Sequence, residues 1–267
     1  QKGRTRIVTD ELNFPSDIYI FQGLVKDFGP GYELIIVPSR DGMTVDTADL
    51  EASIDDNTAL VSLSHVAFKS AFRYNMREIT SLAHGKGAMM LWDLSHSIGA
   101  VPGELNDSDA DLAVGCTYKY LNGGPGAPAF IYVAPRHLDT ARPVLSGWMG
   151  HEAPFAFDLD YRPGGGIDRM RCGTPPVIGL TALDAALDVW EGVDMADVRA
   201  KSIALCDLFI REVEARCPDL VLNTPRDSAK RGCQVSFRHP EGYAIMQALI
   251  ARNVIGDFRA PDAIRFG

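Results

Sequence analysis

No apolar run in this 267-residue chain reaches the ~18–20 residues that a membrane-spanning helix needs. The opening stretch, QKGRTRIVTDELNF, has no apolar centre of the kind a secretory signal carries. Cysteine is sparse: there are five, an odd number at irregular spacings, and no CxxC pair. That pattern argues against a disulfide scaffold and a zinc site, and for reduced thiols in a cytoplasm. Positive charge is outweighed, with 26 Lys and Arg against 35 Asp and Glu and a net charge of −9, so no nucleic acid is expected as a partner, and no membrane. Neither GxGxxG nor GxxxxGK[ST] occurs, and there are no internal repeats or low-complexity tracts. An initiator methionine is missing as well, and the chain stops inside a strand-like run, Ala263 to Gly267, so a fragment of a longer polypeptide is expected.

What the chain does contain is an alternation of short apolar runs and helical stretches. Residues 34–37, 59–64, 88–92, 112–116 and 129–133 read as strands; residues 18–27, 47–54 and 76–84 read as helices. Residues 13–17 read as a loop. Strands apolar on both faces and separated by helices predict an α/β fold, a mostly parallel sheet with helices on both faces. A long segment rich in glycine, proline and aromatics, residues 141–176, is too long to be filler. Helices follow from 177 to about 190 and from 195 to 216. The tail reads strand 234–238, helix 242–252, strand 254–258 and strand 263–266. The expected division is a large domain over residues 1–192 and a smaller C-terminal α/β domain over 193–267, with both ends incomplete.

In a parallel sheet, ligands gather beyond the carboxyl ends of the strands. Ser64, Asp93 and Lys119 all stand at or just after such ends. A lysine behind a buried strand and ahead of the glycine turn NGGPG (122–126) is poorly placed to be a solvated charge, although a lysine there can also simply cap the turn. Desolvated, its amine can attack an aldehyde, so Lys119 is expected to hold pyridoxal phosphate as a Schiff base and later to serve as a base. Asp93 is expected to keep the pyridine nitrogen protonated, and His96 to reach the ring's 3-oxygen. Ser64, Tyr118, Trp148 and Thr174 offer donors for a phosphate, and Phe14 offers a face for a flat ring. The glycines of 122–126 are read as a turn with unusual backbone angles.

Assembled in this way, the sequence resembles kynureninase, a pyridoxal-phosphate enzyme of fold type I, the aspartate-aminotransferase superfamily. The likeness is carried by NFPSD (13–17), WDLSHS (92–97), VGCTYKYLNGGPGAPAF (114–130), GWMGH (147–151), CGTPP (172–176) and IRFG (264–267). It implies hydrolysis of L-kynurenine or 3-hydroxy-L-kynurenine to L-alanine and an anthranilate in tryptophan catabolism, the kynurenine route toward NAD, in the cytoplasm. It further implies that Phe14, Pro15, Ser16 and Asp17 line the cofactor ring, and that Ser64, Asp93, His96, Tyr118 and Lys119 bind cofactor within one subunit. Trp148 and Thr174 are implied to reach the phosphate of a second subunit, in a homodimer with shared sites. Arg265, with Trp148, is implied to bind substrate, the guanidinium gripping the α-carboxylate, and Tyr118 to relay a proton. The family's phosphate-cradling segment precedes the residues present here.

Two other readings stay open at this point. One is a cysteine desulfurase or selenocysteine lyase on the same fold, for which Cys206, Cys217 and Cys233 are poorly placed, the first two in a helical pattern and the third at a strand start. The other is a catalytically silent relative that serves as a binding subunit.

Overall fold

The computed structural model describes residues 3–103 and 105–267. Six strands form the larger sheet: β1 (Arg6–Asp10), β2 (Glu33–Val37), β3 (Thr58–Ser64), β4 (Met89–Asp93), β5 (Leu112–Cys116) and β6 (Ala129–Val133). Their order is β2-β1-β3-β4-β5-β6; the first five run parallel, and β6 closes the edge antiparallel to β5. Helices α1 (Pro15–Phe28), α2 (Thr47–Ser53) and α3 (Met76–Gly85) make the crossovers. Val61, Leu63, Met90 and Trp92 are fully buried, as near-continuous apolar strands of a covered sheet require. On α3, Met76, Ile79, Thr80 and Ala83 fall on one face and are buried, and the Asn75 side chain caps the Glu78 N–H. Thr80 Oγ1 accepts the Trp92 indole N–H at 3.2 Å, so the largest core side chain leaves no donor unpaired.

A second sheet, antiparallel and four-stranded, follows the helices α4 (Val177–Leu187) and α5 (Met195–Arg216). Its strands are β7 (Val221–Leu222), β8 (Val235–Arg238), β9 (Asp257–Arg259) and β10 (Ala263–Phe266), ordered β7-β8-β10-β9, with α6 (Gly242–Ile250) between β8 and β9. Cys206, Ile210, Val235, Phe237, Met246 and Ile264 form its separate core.

Strands β1 and β7 are not among those read from the sequence, and two further segments depart from that reading. The stretch 13–17 is only half a loop, because α1 starts at Pro15 rather than at residue 18. Proline at the first helical position has its φ preset and no N–H left to satisfy, while Asn13 Oδ1 accepts the Phe14 N–H at 2.8 Å just ahead of it. The strand expected over 254–258 begins only at Asp257. Asn253, at φ 63°, ends the preceding helical turns in a left-handed conformation, and Val254 and Ile255 are spent on the way out of it, exposed.

The two sheets are fastened along segment 65–73. Gln234 Nε2 donates to the Phe68 carbonyl at 2.8 Å, and Arg73 donates to the Ala229 carbonyl at 2.8 Å. Within the smaller unit, Arg199 of α5, buried, donates to the carbonyls of Gly232 and Arg231 at 3.0 and 2.7 Å. Buried guanidinium–carbonyl bonds of this kind fix one backbone against another.

Asp111 holds the base of β5. Its carboxylate receives the Met90 N–H at 2.7 Å, Arg136 at 2.7 Å, and ring nitrogens of His84 and His137 at 2.7 and 2.6 Å. Burial pushes this carboxyl up, but the hydrogen bonds from His84, Met90, His137 and Arg136 outweigh it and hold the group at about 2. The folded value lies below the unfolded one, so the stabilisation is present above the unfolded value and is lost as pH falls through about 2. Asp111→Asn is therefore expected to cost on the order of 2 kcal/mol at pH 7, read as a lower denaturation midpoint. The gap to the parent protein should narrow as the pH of the measurement drops below 4 or so.

Candidate active site

Register places the site before any side chain is considered. Ser64 and Asp93 are paired residues at the carboxyl ends of β3 and β4, and Asp93 is paired with Val114 on β5, the strand that leads to Lys119. Asp93 is buried; its Oδ1 accepts the Ser95 N–H at 2.8 Å and its Oδ2 lies 3.1 Å from the Ser64 hydroxyl. That hydroxyl also lies 2.7 Å from Asn13 Oδ1. The Ser64 hydroxyl thus stands at the Asp93 end of the site, 4% exposed and with an acceptor on either side. Asp93 forms no ion pair among the described residues, an unusual state for a buried carboxylate.

Lys119 sits in the turn after β5, half-buried, its Nζ 6.0 Å from the Phe14 ring centre and 5.4 Å from that of Tyr118. The turn is held by Asn122 N–H to the Lys119 carbonyl and Gly123 N–H to the Thr117 carbonyl, both at 3.0 Å. Asn122, Gly124 and Gly126 all have positive φ, as the run NGGPG predicts. Gly99 lets the segment after β4 approach: a Cβ there would stand 2.8 Å from the Tyr120 carbonyl oxygen.

Phe14 packs edge-on against Phe68, ring centres 5.2 Å apart, and keeps 41% of its surface exposed. Pro15 and Ser16 open α1 beside it. Asp17, one turn in, is raised to about 6, first by burial, then by the charge of Asp93, with Lys119 pulling the other way. Asp17 therefore lies within electrostatic reach of both residues.

His96 is buried with Nδ1 unpartnered, and its ring centre is 6.4 Å from that of Tyr120. Burial, and then the charges of Lys119, Arg265 and Arg259, depress its pKa to about 3, so the imidazole is neutral at working pH. Tyr118 is half-exposed; burial of its hydroxyl and the neighbouring Cys116 raise its pKa and keep the phenol protonated.

A cavity of about 410 Å³ opens between the two sheets, and Lys119, His96, Gln234, Asp257 and Arg265 are among the residues lining it. Arg265, on β10, is brought to Lys119 across 146 residues of chain. Trp148 and Thr174 do not line this cavity. Trp148 packs instead against Phe155 and Phe157, at 5.6 and 6.3 Å between ring centres, and Thr174 is exposed.

The residues present fit pyridoxal phosphate on three counts. A buried carboxylate without a cation suits a pyridinium; an orphaned imidazole nitrogen suits a ring oxygen; an amine near an aromatic face suits an aldehyde on a flat ring. Asn13 and Asp257 were missed by sequence reasoning. An Asn directly after a strand and before Phe-Pro is a visible cue for the first; nothing local distinguishes the second. Among the described residues no group of three or more His, Cys, Asp or Glu is placed to hold a metal. No described helix is long and apolar enough to cross a membrane.

Comparison with known proteins bears out both the fold and the resemblance. Residues 198–267 match the family model described as the kynureninase C-terminal domain. The chain is 50% identical over 266 residues to a kynureninase of Pseudomonas fluorescens, covering 99% of this chain and 62% of that protein. The chain thus spans about 62% of the length of the curated relatives it matches. Among solved structures, the apo cysteine desulfurase of Thermococcus onnurineus NA1 superposes with a TM-score of 0.83 at 21% identity, covering 99% of this chain and 68% of the other. A mutant of C-DES with glycine covalently linked to its PLP cofactor gives 0.81 at 21% identity, with 99% and 70% covered. At that identity both likenesses concern the fold alone.

Proposed function

Taking the chain as one stretch of a kynureninase-type polypeptide, we propose that it contributes the core of a site that hydrolyses the Cβ–Cγ bond of L-kynurenine or its 3-hydroxy form, giving L-alanine and an anthranilate. The observation that carries this reading is the shared cavity. An amine from the large sheet (Lys119) and a guanidinium from the small one (Arg265) line a single space sized for an aryl amino acid.

Pyridoxal phosphate, when bound, supplies an electron sink for the carbon next to the substrate amine. Lys119 would hold the aldehyde carbon, Asp93 would keep the ring nitrogen protonated, and Phe14 would offer its face to the ring, with Pro15, Ser16 and Asp17 lining the same place. Neutral His96 offers Nδ1 to the ring oxygen. With substrate bound, the Lys119 amine would take the Cα proton. Arg265 grips the α-carboxylate and so orients the Cα–H bond toward that amine. Water would add to the γ-carbonyl, the Cβ–Cγ bond would break with its electron pair left on Cβ, and the protonated Tyr118 phenol would return a proton there.

The homodimer belongs to the same proposal. Val144, Leu145, Phe155 and Leu159 are 73–103% exposed around Trp148, and Val177 and Ile178 on α4 are 64% and 88% exposed. An apolar face of this extent calls for cover, and a second copy would bring Trp148 and Thr174 to its neighbour's cofactor phosphate. A boundary between domains near residue 193 is supported by the two separate cores. A cytoplasmic site of action is supported by five free thiols.

A desulfurase would need a reactive thiol at the cavity. Burial raises the Cys206 and Cys233 thiols, which leaves them protonated and poor nucleophiles, and Cys217 stands exposed at the end of α5. Purified protein supplied with pyridoxal phosphate is expected to show a visible absorption band and to release fluorescent anthranilate from L-kynurenine, but no sulfide from L-cysteine. Sulfide release would favour the desulfurase; a colourless, inert protein would favour a silent binding subunit.

A further inference from the structure

Arg265 is not waiting empty for a carboxylate. One terminal nitrogen donates to the Phe68 carbonyl and the other to Asp257 Oδ2, its partner across β9 and β10. The other oxygen of Asp257, Oδ1, is held by Arg259 at 2.7 Å. Arg265 is well buried, its side chain 12% exposed, whereas Asp257 is 37% exposed and Arg259 39%. Asp257 also lines the cavity that Lys119 and His96 share.

An incoming α-carboxylate thus meets a guanidinium already carrying a carboxylate, and two anions cannot share that edge without repulsion. We propose that Asp257 is the resident counter-ion of Arg265 and cedes it to the substrate carboxylate, remaining on Arg259 after the exchange. The inference rests on the reading of Arg265 as the carboxylate-binding residue. The charge count supports it: two guanidiniums and one carboxylate leave one positive charge, which the substrate anion neutralises. The geometry supports it as well, because the oxygen that leaves Arg265 belongs to a carboxylate whose other oxygen is already anchored. Asp257 is then a positioning residue that sets amino-acid affinity, since any ligand must carry an anion able to take its place. A neutral amine has no means of displacing it.

The exchange makes opposite predictions for the two flanking charges. Asp257→Asn removes the competitor and is expected to lower both KM for L-kynurenine and the calorimetric dissociation constant of L-alanine by roughly threefold. Arg259→Gln removes the anchor, leaves Asp257 on Arg265, and is expected to raise both by roughly the same factor. In each variant KM should move by more than kcat. Asp257→Ser should follow Asp257→Asn in direction, which separates loss of charge from an asparagine-specific contact. The proposal is overturned if Asp257→Asn raises either constant, since Asp257 would then merely prop Arg265, or if both substitutions shift the constants the same way or not at all. Arg265→Gln tells the two levels apart. If it weakens L-alanine binding while the flanking variants are silent, the exchange fails and the carboxylate-binding role survives. If it too is silent, the underlying reading of Arg265 fails.

Discussion

Lys119→Ala is expected to erase the visible absorption band of the cofactor-loaded protein and to lower turnover by roughly three orders of magnitude or more. Both losses follow from one atom. Nζ is the amine in the cavity that stands beside the exposed Phe14 ring, and no other lysine among the described residues lines that space. The fold should not notice the change, because Lys119 is half-buried, forms no ion pair among the described residues, and its turn is held by backbone hydrogen bonds at Asn122 and Gly123. A melting temperature within a degree or two of the parent's is therefore expected alongside the lost activity. A variant that keeps its band and its turnover would remove Lys119 from the chemistry, and with it the proposed reaction.

Asp93→Asn is the second large effect, and it separates catalysis from stability. The amide is nearly isosteric, and its oxygen can still accept the Ser95 N–H, so the local hydrogen-bond frame survives. What disappears is a buried negative charge without a cationic partner among the described residues, an arrangement that costs free energy in the cofactor-free protein. Cofactor-free Asp93→Asn is thus expected to melt at the same temperature as the parent or higher. Turnover should nonetheless fall by roughly two to four orders of magnitude, because a neutral amide cannot keep the ring nitrogen protonated. A large drop in cofactor-free melting temperature would mean that Asp93 is structural first, and its assigned role would not stand.

Both substituted positions are legible in the sequence. Lys119 and Asp93 could be picked out because each follows a short apolar strand, and the carboxyl ends of parallel strands converge on one edge whatever the rest of the chain does. The strands themselves were visible for the same reason: β3 and β4 are apolar on both faces, as only a doubly covered sheet tolerates. Boundaries were harder to read. Proline at the first position of α1 reads as a loop residue, and the exit from α6 through Asn253 consumes two apolar residues that otherwise read as strand. Local composition does not distinguish a helix start from a loop that contains the same proline.

The sequence alone sufficed for the alternating α/β order, for the amine and the carboxylate at strand ends, and for the positive-φ turn behind Lys119, since each rests on residues a few positions apart. Tertiary structure decided the rest. It brought the Ser64 hydroxyl to Asp93, left His96 Nδ1 without a partner, and set Asp257 between two arginines. Those outcomes depend on which side chains meet across 29 residues in one case and across the β9–β10 pairing in another. A hydrogen bond or an ion pair is set by distance in space, and spacing along the chain does not report it.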